Sequence, residues 1–194
     1  MRVITGTARG RKLKDLPGLD TRPTTDKVKE SIFNIVQFDV EGRRVLDLFA
    51  GTGQLGIEAL SRGAERCVLV DQSREAVKVI QENVAHTGFE NQSRVVQADA
   101  LSFLGSCREK FSLAFLDPPY ASDLLEKALK RMAEIDIMTE NGIIVCESDA
   151  DKLLPTLPAP YVKGRDYRYG RIKLTLYHRS LSTEGTGEGN EVTA

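Results

Sequence analysis

The stretch Val45-Leu46-Asp47-Leu48-Phe49-Ala50-Gly51-Thr52-Gly53-Gln54-Leu55-Gly56 constrains this 194-residue chain more than any other. An apolar run ends in a glycine-rich turn and passes directly into a helical pattern. Gly51 and Gly53 permit the tight turn that a close ligand requires, and Gly56 lets the helix pack near the sheet. A strand feeding a helix in this way belongs to a parallel sheet covered by helices.

The surrounding sequence repeats the pattern. Strand-like runs cover Arg44 to Phe49, Arg66 to Asp71, Arg94 to Gln97, Leu113 to Asp117 and Gly142 to Glu147, and helical patterns lie near residues 54–62, 74–86, 100–106 and 122–134. In the second helix Val77, Ile80 and Val84 share a face, with Ser73 placed to cap the first turn. Upstream, Val28, Ile32, Ile35 and Val36 mark an amphipathic helix, and residues 2–14 alternate around Gly6 and Gly10 as a small hairpin. Downstream, Tyr161 to Tyr167 and Lys173 to Tyr177 read as two antiparallel strands. The expectation is an α/β fold with a mostly parallel seven-stranded sheet, helices on both faces and an N-terminal β-hairpin extension. Residues 1–20 would form that basic extension, 21–180 the main domain and 181–194 a disordered acidic tail.

The glycine turn alone also fits the dinucleotide-binding fingerprint, with Asp71 twenty residues beyond Gly51 to hold a ribose. Asp47 argues against a pyrophosphate, which a carboxylate before the turn would repel; it suits a ligand bearing a sulfonium and an α-amino group. Asp99, ending the third strand, is placed to accept an adenine amino group. Each acid alone is as well explained by helix capping or solvation. Together, with Phe49, Gln72 and Ala100 beside them, they outline a site for an adenosyl ligand without phosphates.

At the end of the fourth strand Phe115-Leu116-Asp117 runs into Pro118-Pro119-Tyr120. Adjacent prolines keep the backbone extended and remove two amide donors, leaving the carbonyls of Asp117 and Pro118 to accept from a ligand. Tyr120 then offers a stacking face. Acceptors beside an aromatic suit the exocyclic amine of a base, whose N–H groups need partners and whose lone pair must leave conjugation with the ring before it can attack. By itself the tetrapeptide reads better as a strand ended by a proline turn with a core tyrosine, but it falls at the edge where open α/β sheets bind ligands.

Charge matters only by position. The net charge is -1, yet residues 1–14 hold Arg2, Arg9, Arg11, Lys12 and Lys14 with no acid, and residues 161–179 hold six cations against Asp166. Basic termini on an acidic body fit a polyanion met at one edge, although from charge alone an ordinary mixed surface is the better reading. Cys67, Cys107 and Cys146 are odd in number and widely spaced, which points to reduced thiols, and with two histidines a metal site is not expected. No apolar run has the length of a membrane span and no signal peptide is evident, so a cytoplasmic protein is expected; it is also expected to be a monomer.

Over residues 1–179 the sequence resembles the bacterial 16S ribosomal RNA guanine-N2 methyltransferases, class I enzymes dependent on S-adenosylmethionine. The resemblance rests on Ile4-Thr5-Gly6, Arg9-Gly10-Arg11-Lys12-Leu13, Arg22-Pro23-Thr24-Thr25-Asp26, Lys29-Glu30-Ser31-Ile32-Phe33-Asn34, the glycine stretch, Gly56-Ile57-Glu58-Ala59-Leu60-Ser61-Arg62-Gly63-Ala64 and Asp117-Pro118-Pro119-Tyr120. The Arg-Pro-Thr and Ser-Arg-Gly-Ala segments are the most specific; the tetrapeptide is shared with adenine-N6 DNA enzymes. The resemblance implies methyl transfer to the 2-amino group of one guanine, with the RNA presented in an assembling small subunit. It implies that Arg22 and Thr24 lie beside the cofactor and the target base. Asp71 departs from the glutamate more usual there. From the residues themselves, Arg9, Arg11, Lys12, Arg165, Arg168, Arg171 and Lys173 would meet phosphates, while Tyr167 and Tyr169 fit packing better than stacking.

Rival readings share parts of this pattern. An adenine-N6 DNA enzyme would need a recognition region for which the chain has little room, and methylation of a protein glutamine goes more often with Asn in place of Asp117. A nicotinamide oxidoreductase would need a hydride-transfer constellation that the sequence lacks. An RNA-binding module without catalysis would have no use for Asp117 or the cofactor acids.

Overall fold

The computed structural model describes residues 1–16, 26–119 and 123–181. In chain order these form α1 (Asp26–Ile35), β1 (Arg44–Asp47), α2 (Gln54–Ser61), β2 (Arg66–Asp71), α3 (Arg74–Thr87), β3 (Ser93–Gln97), α4 (Ala100–Ser106), β4 (Phe111–Leu116), α5 (Leu124–Glu134), β5 (Met138–Asp149), β6 (Tyr161–Tyr169) and β7 (Ile172–Arg179). A short 3-10 turn over Glu90–Gln92, which periodicity did not signal, leads into β3.

Alternation along each strand divides the interior into two layers. Val45, Cys67, Leu69, Leu113, Phe115, Ile143 and Val145 face α1, α2 and α3 through Ile32, Phe33, Ile57 and Ile80. Their neighbours Leu46, Val68, Val70, Ala114, Leu116, Ile144 and Cys146 face α4 and α5 through Leu104, Leu129 and Met132. Both faces are covered, so the strands read as near-continuous apolar runs. The sheet order is β3-β2-β1-β4-β5-β7-β6, with β7 antiparallel to both β5 and β6 and the other pairings parallel. Direction of winding reverses between β1 and β4, which opens a crevice at their carboxyl ends.

The expected α/β sheet is present, with differences at its margins. Strand β5 starts earlier and ends later than the run Gly142 to Glu147, because a register shift against β4 lets Phe111 pair with Met138 before Leu113 pairs with Ile143. Ser73 does cap α3, accepting from the Ala76 amide at 3.3 Å. Residues 2–14 double back as expected but form one isolated bridge, Arg2 with Lys12, rather than a ladder. Their backbone groups are satisfied partly elsewhere: the Thr7 amide donates to the Ser61 carbonyl at 2.8 Å, and the amides of Ile4 and Thr5 donate to Glu58 at 2.7 and 3.0 Å. The Arg22-Pro23-Thr24 helix entry, Tyr120 and the acidic tail lie outside the described residues.

Candidate active site

The site is built on the carboxyl edge around β1. Gly51 and Gly53 hold φ of +55° and +79°, a region that side chains rarely adopt. A Cβ placed on Gly51 would meet nothing within 4 Å, so the turn faces open space; one on Gly56 would lie 2.8 Å from Cys67 Sγ and Leu69 Cδ2. The first glycine leaves room above the turn and the last brings α2 onto the sheet.

Asp71 fixes this turn from the neighbouring strand. Its Oδ2 accepts from the Gly51 amide at 2.9 Å and its Oδ1 from the Ser73 amide at 2.8 Å. Asp99 places one oxygen, Oδ1, on the Leu101 and Ser102 amides at 3.0 Å and thereby caps α4, whose first residue is the buried Ala100. Phe49 is half-buried and Gln72 is exposed on the same edge.

Asp47 is 2% exposed beneath the turn and accepts from the Gly56 amide at 2.9 Å. Burial pushes its carboxyl up to about 7 against the pull of that hydrogen bond, and the charges of Asp117 and Asp71 push it further. Three carboxylates from β1, β2 and the end of β4 thus share one field, with space above the turn for a ligand. Such a field favours a cation and disfavours a phosphate.

Asp117 and Pro118 continue β4 past its last residue, with Pro118 buried and Pro119 exposed. Pro118 and Pro119 line a depression with Leu125, Glu147, Ser148 and Lys152. Glu147 is 4% exposed and stands on β5 beside the tetrapeptide. It was not singled out in the sequence, although a signal existed: Asp47, Asp71, Asp99, Asp117 and Glu147 are acids within two residues of the carboxyl ends of five successive parallel strands.

The basic residues fall in two places. Asp149 pairs with Ile172 and the Ala150 amide donates to the Arg171 carbonyl, so the end of β6 with Arg168, and the turn into β7 with Arg171, reach the same edge as Asp117. Arg168 is exposed and lies 3.6 Å from Asp151. Arg9, Arg11 and Lys12 are exposed on the N-terminal arm, where Arg11 donates to the carbonyl of His86 on α3. Lys173 is not available to phosphates: it is 2% exposed and its Nζ donates to the Lys152 carbonyl at 2.5 Å, because the segment after β5 covers its face of β7, where Tyr177 also donates to the Pro155 carbonyl. Tyr167 and Tyr169 pack against the core, in keeping with their sequence reading. Cys67 and Cys146 are buried and Cys107 is half-buried, all as thiols. Among the described residues no helix is long and apolar enough to cross a membrane, and no group of His, Cys, Asp and Glu is arranged to hold a metal.

A glycine turn with acids at successive strand ends, on a seven-stranded sheet closed by an antiparallel strand, defines the class I methyltransferase fold. Residues 1–178 match the family described as Conserved hypothetical protein 95, and the chain belongs to that family. It is 41% identical over 182 residues to the YlbH protein of Bacillus subtilis, covering 92% of this chain and 99% of that one. It is 36% identical over 190 residues to the protein named ribosomal RNA small subunit methyltransferase D of Escherichia coli, covering 97% of this chain and 94% of the relative. The solved yhhF protein of Escherichia coli superposes with a TM-score of 0.82 at 36% identity, over 93% of this chain and 98% of that structure.

Proposed function

We propose that this protein methylates the exocyclic N2 amine of a guanine in 16S ribosomal RNA, using S-adenosylmethionine. The observation that carries the reading is the shared field of Asp47, Asp71 and Asp117 around an open glycine turn, with the proline-braced Asp117 at the switch point. The name borne by the Escherichia coli relative supports a small-subunit RNA substrate, and the guanine-N2 choice rests on the sequence resemblance.

In this reading Gly51 and Gly53 receive the amino-acid part of the cofactor, with the anionic Asp47 beneath them. Asp71 holds the ribose through lone pairs not used on Gly51 and Ser73. Asp99 and Ala100 face the adenine, with Phe49 and Gln72 beside it. The cofactor supplies a methyl group made electrophilic by positively charged sulfur. Asp117 and the Pro118 carbonyl hold the amine protons and aim the nitrogen lone pair at that carbon, while Tyr120 stacks on the base. Transfer would be a direct displacement at the bound cofactor's methyl carbon, and Asp117 would take the proton that the methylated amine gives up. Arg9, Arg11, Lys12, Arg22, Thr24, Arg168 and Arg171 hold the RNA around the edge. Residues 1–20 act as an RNA-contacting extension of a catalytic domain over 21–180.

The test is transfer of labelled methyl to unmodified ribosomal RNA, naked and in partly assembled small subunits, followed by nucleoside analysis. Label in N2-methylguanosine is the expected result. Label in N6-methyladenosine would move the target to adenine, and no label in either substrate would overturn the reading.

A further inference from the structure

Asn83 is out of place by composition. It lies on the buried face of α3 among Val79, Ile80, Val84 and Thr87, and is itself 1% exposed. A buried carboxamide is costly unless its donors and acceptor are all paired. Here they are. Oδ1 accepts from the Lys14 amide at 2.7 Å, and Nδ2 donates to the Lys14 carbonyl at 3.1 Å and to the Thr52 carbonyl at 2.9 Å. One side chain thus acts as a strand partner for the end of the N-terminal arm and also as a tie to the residue between Gly51 and Gly53. The arm's start is tied to the same place, with Met1 Sδ 3.9 Å from Thr52 Oγ1 and the Met1 amino group 3.7 Å from Asp15.

We propose that Asn83 is a positioning residue for the RNA substrate: its carboxamide holds the basic arm at the cofactor turn, so that Arg9 and Lys12 meet the RNA in register with Asp117. The inference rests on the RNA reading given above. Elsewhere Glu58 and Ser61 on α2 hold residues 4–8, Lys29 holds the Arg2 carbonyl and Arg11 reaches the His86 carbonyl; of these side chains only Asn83 also joins the arm to the glycine turn.

The test is steady-state methylation of ribosomal RNA by the full chain as wild type, Asn83→Ala, Arg9→Ala/Lys12→Ala and the combined variant. Asn83→Ala should raise KM for RNA about tenfold with kcat at saturating RNA within about threefold. In its background, loss of Arg9 and Lys12 should add less than about twofold, because an arm freed from the turn at Lys14 no longer sets those cations in register with Asp117. Additive effects, or a fall in kcat with an unchanged KM for RNA, would show a structural staple only and overturn the proposal. If Asn83→Ala fails to fold, Lys14→Pro compared with Lys14→Ala removes the same amide donor from the arm's side, and an equal KM in the two would overturn it. A wild type that methylates no RNA would instead overturn the underlying functional reading.

Discussion

At the residue scale, Asp47 carries the most distinctive chemistry. Its carboxyl is held near 7 when folded and near the ordinary value of 3.8 when unfolded, so the native state binds the extra proton between those values. Stability contributed at this residue therefore falls as pH rises from about 4 to about 7. Asp47→Asn, which retains an acceptor for Gly56, should lie within about 1 kcal/mol of the wild type in urea denaturation at pH 4.5 and exceed it at pH 8 by on the order of 2–4 kcal/mol. Equal stability at pH 8 would show that Asp47 is not strained by burial. A cationic ligand favours the ionised form, so binding S-adenosylmethionine near pH 7 should release protons, visible as a calorimetric enthalpy that depends on the buffer's ionisation enthalpy; a buffer-independent enthalpy would separate Asp47 from the cofactor. The two other acids differ in what they lose. Asp117→Asn should lower the single-turnover rate by about 10²–10⁴ with the cofactor Kd within a few fold, whereas Asp71→Ala should weaken cofactor binding about tenfold or more by releasing the Gly51 and Ser73 amides as well as the ribose. Normal turnover in the first, or an unchanged Kd in the second, would reverse these roles.

At the element scale, the N-terminal arm shows how a weak local structure is held by its neighbours. With one bridge of its own, it depends on Glu58, Ser61 and Asn83, and on Lys29, whose Nζ donates to the Arg2 carbonyl at 2.6 Å. This gives a physical reason for the pairing of two family segments in the sequence: Glu58-Ala59-Leu60-Ser61 on α2 is the receptor for Ile4-Thr5-Gly6. Gly6 is the tightest point, with φ +86° and a Cβ position 1.7 Å from the Ser61 carbonyl oxygen. Gly6→Ala should destabilise docking by about 2–4 kcal/mol and expose Arg9 and Arg11 to tryptic cleavage at least tenfold faster. Gly10→Ala, at φ +83° with nothing within 4 Å, should cost only about 1 kcal/mol. Equal cleavage of the two variants would refute the docking contact. The helices and strands were legible from periodicity and from caps such as Ser73. The arm's partners were not, since Glu58, Ser61 and Asn83 lie 53 to 69 residues from the groups they hold.

At the scale of the whole molecule, charge is sorted by position: acids line the carboxyl edge at β1, β2, β4 and β5, while the β6–β7 turn and the arm bring cations to its surroundings. The cationic cofactor and polyanionic substrate of the proposed reaction would then be drawn to adjacent regions of one surface. If Arg168 and Arg171 meet phosphates, Arg168→Ala/Arg171→Ala should reduce the steepness of log Kd against log salt for RNA by about 1–2, at about 0.7–0.9 per contact; an unchanged slope would place the RNA elsewhere. The sequence by itself determined the α/β class, the five parallel strands with two closing strands, the glycine turn and the acids at the strand ends, because each depends on spacing within a single element or its immediate turn. Tertiary structure alone decided that Asp47 sits buried under the turn in the field of Asp71 and Asp117, that Lys173 faces inward while Arg168 and Arg171 reach the carboxyl edge, and that Asn83 joins the arm to the turn. Those outcomes depend on sheet order, register and the antiparallel return of β7, which bring together residues whose separation in the chain carries no local signal.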